Sequence, residues 1–322
     1  MQAFVTGASG FIGAHLVRRL RDGGWKVRAL DVSLPAAPEA GVETVRGDVR
    51  DPGPWKGSLK GTDVVFHLAA ALGASRLAER EFLEINAKGT EAVLGAALDA
   101  GVGRMVHVSS AGAIGTVGPG TIADEDTPPN PQNAYDRSKL EGERLALSLA
   151  GAGAGIVVVR PGWAYGPGDR RTLKVIRAIR DRRFALIAPD RGRQTPVFVE
   201  DLVEGLILAA EKGRPGEIYH LTGDEILTVR RMAEIIAQAC GVPAPRVRIP
   251  VLPAKLAAWT LEKVFAPFGR EAPLNRSRLA FFLDAKALSN AKARRELGFA
   301  PKVAFRTGTA RAVAWYREQG WL

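Results

Sequence analysis

Tyr135 and Lys139 are the two residues of this sequence best suited to proton transfer. They stand four residues apart at the start of a segment with helical periodicity, so both side chains are expected on one face. A free phenol has a pKa of about 10, and a neighbouring ammonium is expected to lower that pKa by stabilising the phenolate. The pair therefore predicts an acid–base site that works near neutral pH.

A serine hydroxyl is available to complete this site. Ser109 and Ser110 directly follow the apolar stretch 105–108, which reads as a strand. A hydroxyl at a strand end can hydrogen-bond a substrate oxygen and fix its position. A Tyr-x-x-x-Lys spacing is frequent by chance, so its meaning depends on the elements around it.

The elements that would position this chemistry begin with a glycine-rich turn. Gly7, Gly10 and Gly13 lie between an apolar stretch at 3–5 and a helical pattern that starts with Phe11 and Ile12. This predicts a strand, a tight turn and a helix. Glycines let the backbone approach a pyrophosphate closely, and the free N–H groups of the helix N-terminus bind the anion.

An acid follows at the end of the second predicted strand, at Asp31. A dinucleotide-binding fold places a carboxylate there to accept hydrogen bonds from the adenosine ribose hydroxyls. Because that carboxylate repels a 2′-phosphate, NAD is favoured over NADP as the cofactor. The simpler alternative is that Asp31 only begins a turn. Arg28, three positions earlier on the strand, is poorly placed to reach the same ribose.

Alternating strand and helix patterns predict an α/β fold with a Rossmann-type, doubly wound parallel sheet. Asp48 follows a third strand at 42–46, where it could hydrogen-bond the adenine amino group or cap a turn. His67 lies in a fourth, almost continuously apolar strand at 63–71 and is expected to be a core histidine. Asn86, in a helical pattern over 77–100, could hydrogen-bond the cofactor side or brace a neighbouring loop.

Composition places further limits. The chain has 322 residues, of which 46% are hydrophobic and 25% charged, so it can bury a large core. With Cys240 as the single cysteine, no internal disulfide can form, and we expect a cytoplasmic protein. A strand starting at residue 2 leaves no room for a signal peptide, and no apolar run is long enough to span a membrane. No metal site is predicted.

The positive charge is concentrated at the end of the chain. Residues 246–322 carry 15 Lys and Arg against 5 Asp and Glu, out of a net charge of +11. No nucleic-acid-reading motif or interleaved aromatic pattern accompanies this charge, so we expect no nucleic-acid partner. The remaining interpretations are a solvated basic face, or attraction to an anionic membrane surface or an acidic substrate.

These motifs resemble the extended short-chain dehydrogenase/reductase superfamily of sugar-nucleotide epimerases, dehydratases and 3β-hydroxysteroid-dehydrogenase-like enzymes. The resemblance covers nearly the whole chain. The motifs that carry it are Thr6-Gly7-x-x-Gly10-Phe11-Ile12-Gly13, Gly47-Asp48-Val49-x-Asp51, His67-Leu68-Ala69-Ala70, Asn86-x-x-Gly89-Thr90, Val108-Ser109-Ser110-Ala111, Tyr135-x-x-x-Lys139 and Arg160-Pro161-Gly162-Trp163-Ala164-Tyr165-Gly166-Pro167-Gly168.

The resemblance implies a role for each matching residue. Ser110 would position the reacting oxygen, Tyr135 would be the general acid/base, and Lys139 would hold the nicotinamide ribose and lower the tyrosine pKa. The implied cofactor-binding residues are Gly7, Gly10, Phe11, Ile12, Gly13, Asp31, Asp48, Val49, Leu68, Ala69, Ala70, Asn86, Tyr135, Lys139, Pro161 and Gly162. The implied substrate residues are Ala71, Ser110, Trp163 and Arg193.

Departures from the family pattern favour one branch. Sugar-nucleotide members tend to carry an Asn for the substrate diphosphate where this chain has Trp163. They also tend to carry an Arg-Asp step that is missing here, for which Arg193 or Arg191 is the candidate substitute. The exchange of an amide for an indole argues for a less polar substrate. Dehydratases tend to carry an acid pair where Ala111 and Gly112 stand, so dehydration is disfavoured.

The last part of the chain is similar to the hydroxysteroid- and sterol-dehydrogenase-like branch. This similarity covers 279–322, with Trp315 and Tyr316 near the end. Before it, an apolar-rich helical stretch at 249–268 carries Lys255 and Lys263. That stretch could be a lid packed on the substrate site, or a surface patch that contacts a membrane through which a lipid-like substrate enters.

The sequence thus predicts an NAD-dependent oxidoreductase that interconverts a secondary alcohol and a ketone on a hydrophobic small-molecule substrate, for which a sterol-like compound is one candidate. An NDP-sugar 4-epimerase with tightly held NAD and a non-catalytic NAD(P)-sensing protein are the alternatives. The cofactor domain is expected over 1–165 with strands from about 196–222. A smaller mixed α/β lobe over 166–195 and 223–322 is expected to bind substrate. The resemblance implies a homodimer.

Overall fold

Fourteen short strands run through the chain in the computed structural model, which describes residues 1–34, 39–73, 75, 77–118, 120–187, 192–265, 272, 274, 279, 282–283 and 285–322. The strands are β1 Gln2–Thr6, β2 Lys26–Asp31, β3 Val42–Arg46, β4 Val64–His67, β5 Arg104–Val108, β6 Ile156–Pro161, β7 Trp163–Tyr165, β8 Leu186–Ile187, β9 Arg193–Gln194, β10 Pro196–Phe198, β11 Ile218–Leu221, β12 Leu227–Thr228, β13 Arg248–Ile249 and β14 Ala285–Lys286.

The helices alternate with these strands. They are α1 Phe11–Asp22, α2 Glu79–Leu83, α3 Gly89–Asp99, α4 Ala111–Ile114, α5 Ala134–Gly151, α6 Arg170–Arg180, α7 Val199–Lys212, α8 Val229–Cys240, α9 Val251–Phe265, α10 Ala291–Leu297 and α11 Phe305–Glu318. A 3₁₀ turn spans Lys56–Leu59, and a π-helical turn, Glu84–Lys88, joins α2 to α3.

Seven strands form one parallel sheet in the order β11-β6-β5-β4-β1-β2-β3. Helices cover both faces: Leu16 and Leu20 of α1 belong to the core on one side, and Val93 and Leu94 of α3 to the core on the other. Because both faces are covered, every residue of the central strand β4 is buried. The predicted Rossmann-type, doubly wound fold is confirmed, with β11 joining the sheet beside β6.

A third core lies among the later elements. It is built by α6, α8 and α11 through side chains such as Ile176, Ile236 and Val313. Short strand pairings accompany it, namely β12-β9-β14, β13-β8 and β10-β7. The division of the chain into a cofactor domain and a substrate lobe stays a prediction.

Two predicted elements differ from the observed ones. The fourth strand ends at His67 rather than continuing to 71, so the small residues after it form a loop at the sheet edge. The helix predicted over 77–100 begins at Glu79 and contains the π turn. A π turn inserts one extra residue into the helix, which periodicity over a long window does not detect.

Candidate functional site

A cavity of about 860 Å³ lies along the ends of the central strands and extends towards the later elements. This is the sheet edge at which open α/β folds bind ligands. Its lining includes the following predicted site residues: Gly7, Gly10, Phe11, Ile12, Gly13, Asp31, Asp48, Val49, Leu68, Ala69, Ala70, Ala71, Ser110, Tyr135, Lys139, Pro161, Gly162 and Trp163.

The glycine turn has no room for side chains. Gly7 has a φ of +68°, and a Cβ there would lie 2.7 Å from the Ala69 nitrogen. A Cβ on Gly13 would lie 2.1 Å from the Gly7 carbonyl oxygen. Gly10, the N-cap of α1, has no side-chain hydrogen bond to the helix N-terminus. The first turn of α1 therefore offers its N–H groups to the cavity, which fits a diphosphate.

Asp31 stands at the end of β2, beside this turn. Its carboxylate accepts hydrogen bonds from the Ser9 and Ser33 N–H groups, at 3.0 Å and 3.2 Å. The Arg28 guanidinium is instead engaged by Glu43 at 2.8 Å and by the Ser58 carbonyl at 2.7 Å. Arg28 does not line the cavity, which is consistent with the expectation that it does not reach the ribose. The arrangement fits a ribose diol at Asp31.

Asp48 also faces the cavity, but its carboxylate already has a partner. The Arg50 side chain approaches it to 2.6 Å, and the Arg50 N–H donates to it at 2.9 Å. These hydrogen bonds hold the pKa of Asp48 below its ordinary value. Both residues line the cavity, so an adenine ring placed here would meet a carboxylate–guanidinium pair rather than a lone acid.

Ser110 and Tyr135 meet at the reacting end of the cavity. Ser110 caps α4, and its hydroxyl oxygen accepts a hydrogen bond from Gly112 N–H at 3.0 Å. The Ser110 hydroxyl lies close enough to Tyr135 to lower the pKa of the phenol. Because the serine oxygen only accepts from the backbone, its proton remains available for donation. Two hydroxyl groups thus converge where a substrate oxygen could lie.

The predicted direction of the Tyr135 pKa shift is wrong. Burial raises its pKa above the ordinary value, while the neighbouring Ser110 hydroxyl and the positive charge of Arg171 oppose that change. Lys139 is itself so deeply buried that its pKa falls to about 8. The sequence shows that a lysine stands one helical turn away from the tyrosine, but it does not show how far both groups are removed from water.

Lys139 is held by the main chain. Its Nζ donates to the Val108 carbonyl at 2.8 Å, which is the single hydrogen bond of this ammonium among the described residues. An ammonium has three donors. The other donors of Lys139 are available to ribose hydroxyls in the cavity, which supports its expected role.

Several close contacts fix helix α5, which carries Tyr135 and Lys139. The helix starts at Asn133, whose side chain accepts from Asp136 N–H at 2.9 Å. A Cβ on Gly142 would lie 2.4 Å from the Asn86 carbonyl oxygen, so only glycine allows this approach. The buried pair Glu143–Arg160, at 2.5 Å, ties α5 to β6.

The assignment of Asn86 to the cofactor is corrected. Asn86 is fully buried and does not line the cavity. Its side chain accepts from Ala71 N–H at 2.7 Å and donates to the Ala71 carbonyl and to Ser138 Oγ. Ser138 in turn donates to the Tyr135 carbonyl at 2.8 Å. Asn86 instead has the structural role that was the alternative interpretation: it joins the loop after β4 to the helix that carries Tyr135.

His67 is a core histidine, as predicted. Its two ring nitrogens lie 2.7 Å from Thr6 Oγ1 and 3.0 Å from Thr90 Oγ1. Burial lowers the pKa of His67 to about 3. The ring is therefore neutral at physiological pH and links β1, β4 and α3.

Sequence reasoning missed several residues of the cavity lining. Among them are the polar side chains Asp136, Arg171, Gln194 and Lys286. Asp136 is almost fully buried, and Lys286 Nζ lies 3.3 Å from its carboxylate. A Cβ on Gly112 would lie 2.0 Å from Asp136 Oδ1, so the carboxylate fills the space that a side chain at 112 would take. The one available signal was the position of Asp136 directly after Tyr135.

Of the four residues assigned to the substrate, Ala71, Ser110 and Trp163 line the cavity and Arg193 does not. Trp163 lines the cavity, stacked 6.2 Å from Tyr165 and tilted against Phe305 at 6.1 Å. Arg193 is exposed and lies outside the cavity lining, which is a correction; Gln194 takes its place. Arg191, the other residue considered, lies outside the described residues.

The sequence of this chain is similar to those of known enzymes. The sequence model of the NAD dependent epimerase/dehydratase family matches residues 3–222. A protein of Stigmatella aurantiaca named 4-hydroxy-2-methyl-3-oxo-4-farnesyl-3,4-dihydroquinoline-1-oxide ketoreductase is 36% identical over 316 residues, covering 96% of this chain and 94% of its own. A 3 beta-hydroxysteroid dehydrogenase/Delta 5-->4-isomerase of Mycobacterium tuberculosis (strain ATCC 25618 / H37Rv) is 32% identical, with 93% and 86% covered.

A solved structure extends the similarity to three dimensions. DesIV, a dTDP-glucose 4,6-dehydratase from Streptomyces venezuelae crystallised with NAD, superposes with a TM-score of 0.82 at 29% identity. The match covers 100% of this chain and 98% of DesIV. The whole chain, including the elements after the sheet, therefore follows one known architecture.

Proposed function

Because the chain belongs to the NAD-dependent epimerase/dehydratase family, we propose that it interconverts a secondary alcohol and a ketone on an apolar substrate, with NAD as cofactor. Family membership makes the chain an NAD-dependent enzyme rather than a cofactor-sensing protein. One observation carries the proposal: Ser110 and Tyr135 lie on the wall of the same cavity that the glycine turn lines, close enough for the serine hydroxyl to lower the tyrosine pKa.

The residues present fit NAD along the length of the cavity. The turn from Gly7 to Gly13 would hold the diphosphate, Asp31 the adenosine ribose, and Lys139 the second ribose. The bound cofactor supplies a nicotinamide carbon that accepts or donates a hydride. The protein supplies position, proton transfer and a site shielded from water.

The state of Tyr135 favours ketone reduction at neutral pH. Since burial raises the pKa of this phenol, the side chain is protonated there. It can donate its proton to the carbonyl oxygen of a bound ketone, while the Ser110 hydroxyl hydrogen-bonds the same oxygen. Proton donation of this kind contributes roughly 10² to 10⁴ to the rate. In the oxidative direction the phenol would first have to lose its proton.

The substrate side of the cavity supports an apolar ligand. The indole of Trp163 faces the cavity and is held by two neighbouring aromatic rings. Three alanines and Leu72, from the loop after β4, also line the cavity. The ketoreductase of Stigmatella aurantiaca and the mycobacterial hydroxysteroid dehydrogenase act, by their names, on a farnesylated quinoline oxide and a steroid.

A sugar-nucleotide 4-epimerase is the second candidate, favoured by one observation. Arg171 and Lys286 both line the cavity and bring positive charge to the substrate side. Such groups bind phosphates well. An epimerase returns the hydride to its own keto intermediate and consumes no cofactor overall, so cofactor turnover separates the two candidates.

The test is a substrate screen on the purified protein. Polycyclic and prenylated ketones and the matching alcohols are incubated with NADH or NAD, and the change in NADH absorbance is followed. NDP-sugars are incubated in parallel and analysed for new isomers. Net NADH oxidation with an apolar ketone is expected. Isomer formation without net cofactor change would replace the proposal with the second candidate.

Three variants connect turnover to the site. Tyr135→Phe is expected to lower kcat by roughly 10² to 10⁴ with NADH affinity unchanged. Ser110→Ala is expected to lower kcat as well, whereas Ser109→Ala is its matched control. Ser109 is a buried neighbour whose hydroxyl has no hydrogen-bond partner among the described residues. Equal activity of Tyr135→Phe and wild type would exclude the proposed proton transfer.

A further inference from the structure

Exposed apolar side chains are concentrated in one short stretch of the protein. Ten large hydrophobic side chains are exposed in the part of the chain that the structure describes, and five of them lie between 247 and 264. These five are Val247, Leu252, Leu256, Trp259 and Val264. Four of them lie on one helix, Val251–Phe265. Single exposed apolar residues are ordinary, but several on one helix indicate a contact surface.

The helix that carries most of them, α9, is buried on one side only. Ala254 and Ala258 are its fully buried residues, packed against Ile187 of β8 and Leu279. At 3.6 residues per turn, the residues on the opposite side fall within about 60° of one another. They are Leu252, Leu256, Trp259 and Lys263. Three of these are strongly exposed: Leu252 at 80%, Leu256 at 65% and Trp259 at 55%.

Basic side chains surround this apolar stripe. Arg246, Arg248, Lys255 and Lys263 are all exposed. Glu262 is the single acid between 246 and 265, and it is half-buried. Basic residues beside Trp and Leu on one exposed helix face are the composition of helices that lie in the plane of a membrane interface.

We propose that the exposed face of α9 docks this protein on the surface of an anionic lipid bilayer. Leu252, Leu256 and Trp259 enter the boundary between headgroups and acyl chains, and the surrounding basic residues contact lipid phosphates. The 15-residue helix is about 22 Å long and lies parallel to the surface. No helix among the described residues is long and apolar enough to cross a membrane.

Charge favours a bilayer over a second copy of this chain. A symmetric contact through the same face would bring Lys255 and Lys263 of one copy against basic residues of the other. An anionic bilayer instead attracts these groups. The proposal does not depend on the redox function, since docking requires neither cofactor nor substrate.

Vesicle co-sedimentation of the full-length protein tests the proposal. The vesicles are phosphatidylcholine alone or phosphatidylcholine mixed with phosphatidylglycerol. Wild type is expected to sediment with the mixed vesicles and to remain in solution with the neutral ones. Lys255→Gln/Lys263→Gln is expected to weaken binding by about 30-fold. Leu256→Ser/Trp259→Ser is expected to weaken it at least about tenfold.

A matched control removes exposed apolar groups elsewhere. Ile122 and Ile226 are exposed at 50% and 37%, and Ile122→Ser/Ile226→Ser is expected to bind like wild type. Wild type that stays in solution with anionic vesicles overturns the proposal, as does equal binding by the α9 variants. If light scattering shows that Leu256→Ser/Trp259→Ser converts a larger assembly into monomers, α9 is a self-association surface and the proposal is also overturned.

Discussion

Two lysines face the same cavity, and the protein holds them in opposite ways. Lys139, on the cofactor side, is almost completely buried and donates to a backbone carbonyl, that of Val108. Lys286, on the substrate side, is 20% exposed and lies 3.3 Å from the carboxylate of Asp136. The first is positioned by the main chain of the sheet, the second by another side chain.

The same contrast extends over the whole cavity. The cofactor side consists largely of backbone: a glycine turn, a helix N-terminus and strand ends. The substrate side consists of side chains from distant segments, among them Arg171, Gln194 and Lys286. A wall made of backbone is fixed once the fold forms, whereas a wall made of side chains can change with single substitutions. Variants can test whether a substitution on one side of the cavity leaves ligand binding on the other side unchanged.

Gly13→Ala should damage the cofactor side most. Its Cβ would lie 2.1 Å from the Gly7 carbonyl oxygen, so the turn must move away from the diphosphate position. Overpacking of this kind costs about 1–3 kcal/mol, so we expect NADH affinity to fall by up to about 100-fold. Fluorescence titration with NADH measures the change.

Gly95→Ala is the control for this substitution. Gly95 lies inside α3, and a Cβ there meets nothing within 4 Å. It should bind NADH like wild type and gain about 0.5–1 kcal/mol of stability in urea unfolding. Equal NADH affinity in Gly13→Ala and Gly95→Ala would contradict the conclusion that the glycine turn has no room for a side chain.

The residues of the cofactor side were also easier to predict from the sequence than those of the substrate side. Its residues follow one another closely from Gly7 to Gly13 or stand directly after predicted strands, so local spacing identified them. Asn86 was misassigned because the sequence gives its residue type and the helix that carries it, but not the direction in which its side chain points. The substrate side depends on residues that the fold brings together over 150 positions, such as Asp136 and Lys286.

Two misses on the site have definite physical causes. Arg193 and Gln194 are neighbours on β9, and successive side chains of a strand point to opposite faces. An error of one position therefore exchanges an exposed arginine for the buried glutamine that lines the cavity. The pKa of Tyr135 was placed on the wrong side of its ordinary value because spacing along a helix carries no information on burial.

The burial of Lys139 predicts an unusual response of stability to pH. Its pKa is about 8 in the folded protein against an ordinary value of 10.5. Between these values the unfolded chain binds more protons, so the free energy of unfolding should rise with pH. We expect a rise on the order of 2 kcal/mol from pH 8 to pH 10. Above about pH 10 the raised pKa of Tyr135 should instead make the free energy of unfolding fall with pH, because the folded protein then binds more protons than the unfolded chain.

Urea unfolding at several pH values measures this rise. Lys139→Met should lack it, because the titrating group is gone. Lys88→Met, which removes an exposed lysine paired with Glu84, should keep it. A stability curve of the wild type that is flat or falls between pH 8 and pH 10 would show that Lys139 titrates normally in the folded protein.

Lys286→Met tests the substrate side alone. If its ammonium contacts the substrate, KM should rise by about tenfold, the value of one charge-assisted hydrogen bond. The Kd for NADH should not change, since Lys286 lies away from the glycine turn. Lys292→Met is the matched control: Lys292 is 17% exposed and pairs with Glu217 at 2.6 Å, but it does not line the cavity. A parallel loss of NADH affinity in Lys286→Met would show that the two sides are not separable.

Asp31→Asn tests the choice of cofactor and should have the smallest effect. An amide can still accept a hydrogen bond from Ser9 or Ser33 N–H, so the turn should survive. Loss of the charge removes the repulsion of a 2′-phosphate, and we expect the NADPH-to-NADH ratio of Kd values to fall by about fivefold. Asp48→Asn should leave this ratio unchanged, because its carboxylate is paired with Arg50. An unchanged ratio in Asp31→Asn would assign Asp31 to the turn alone, and NAD preference would then have to come from residues elsewhere in the cavity.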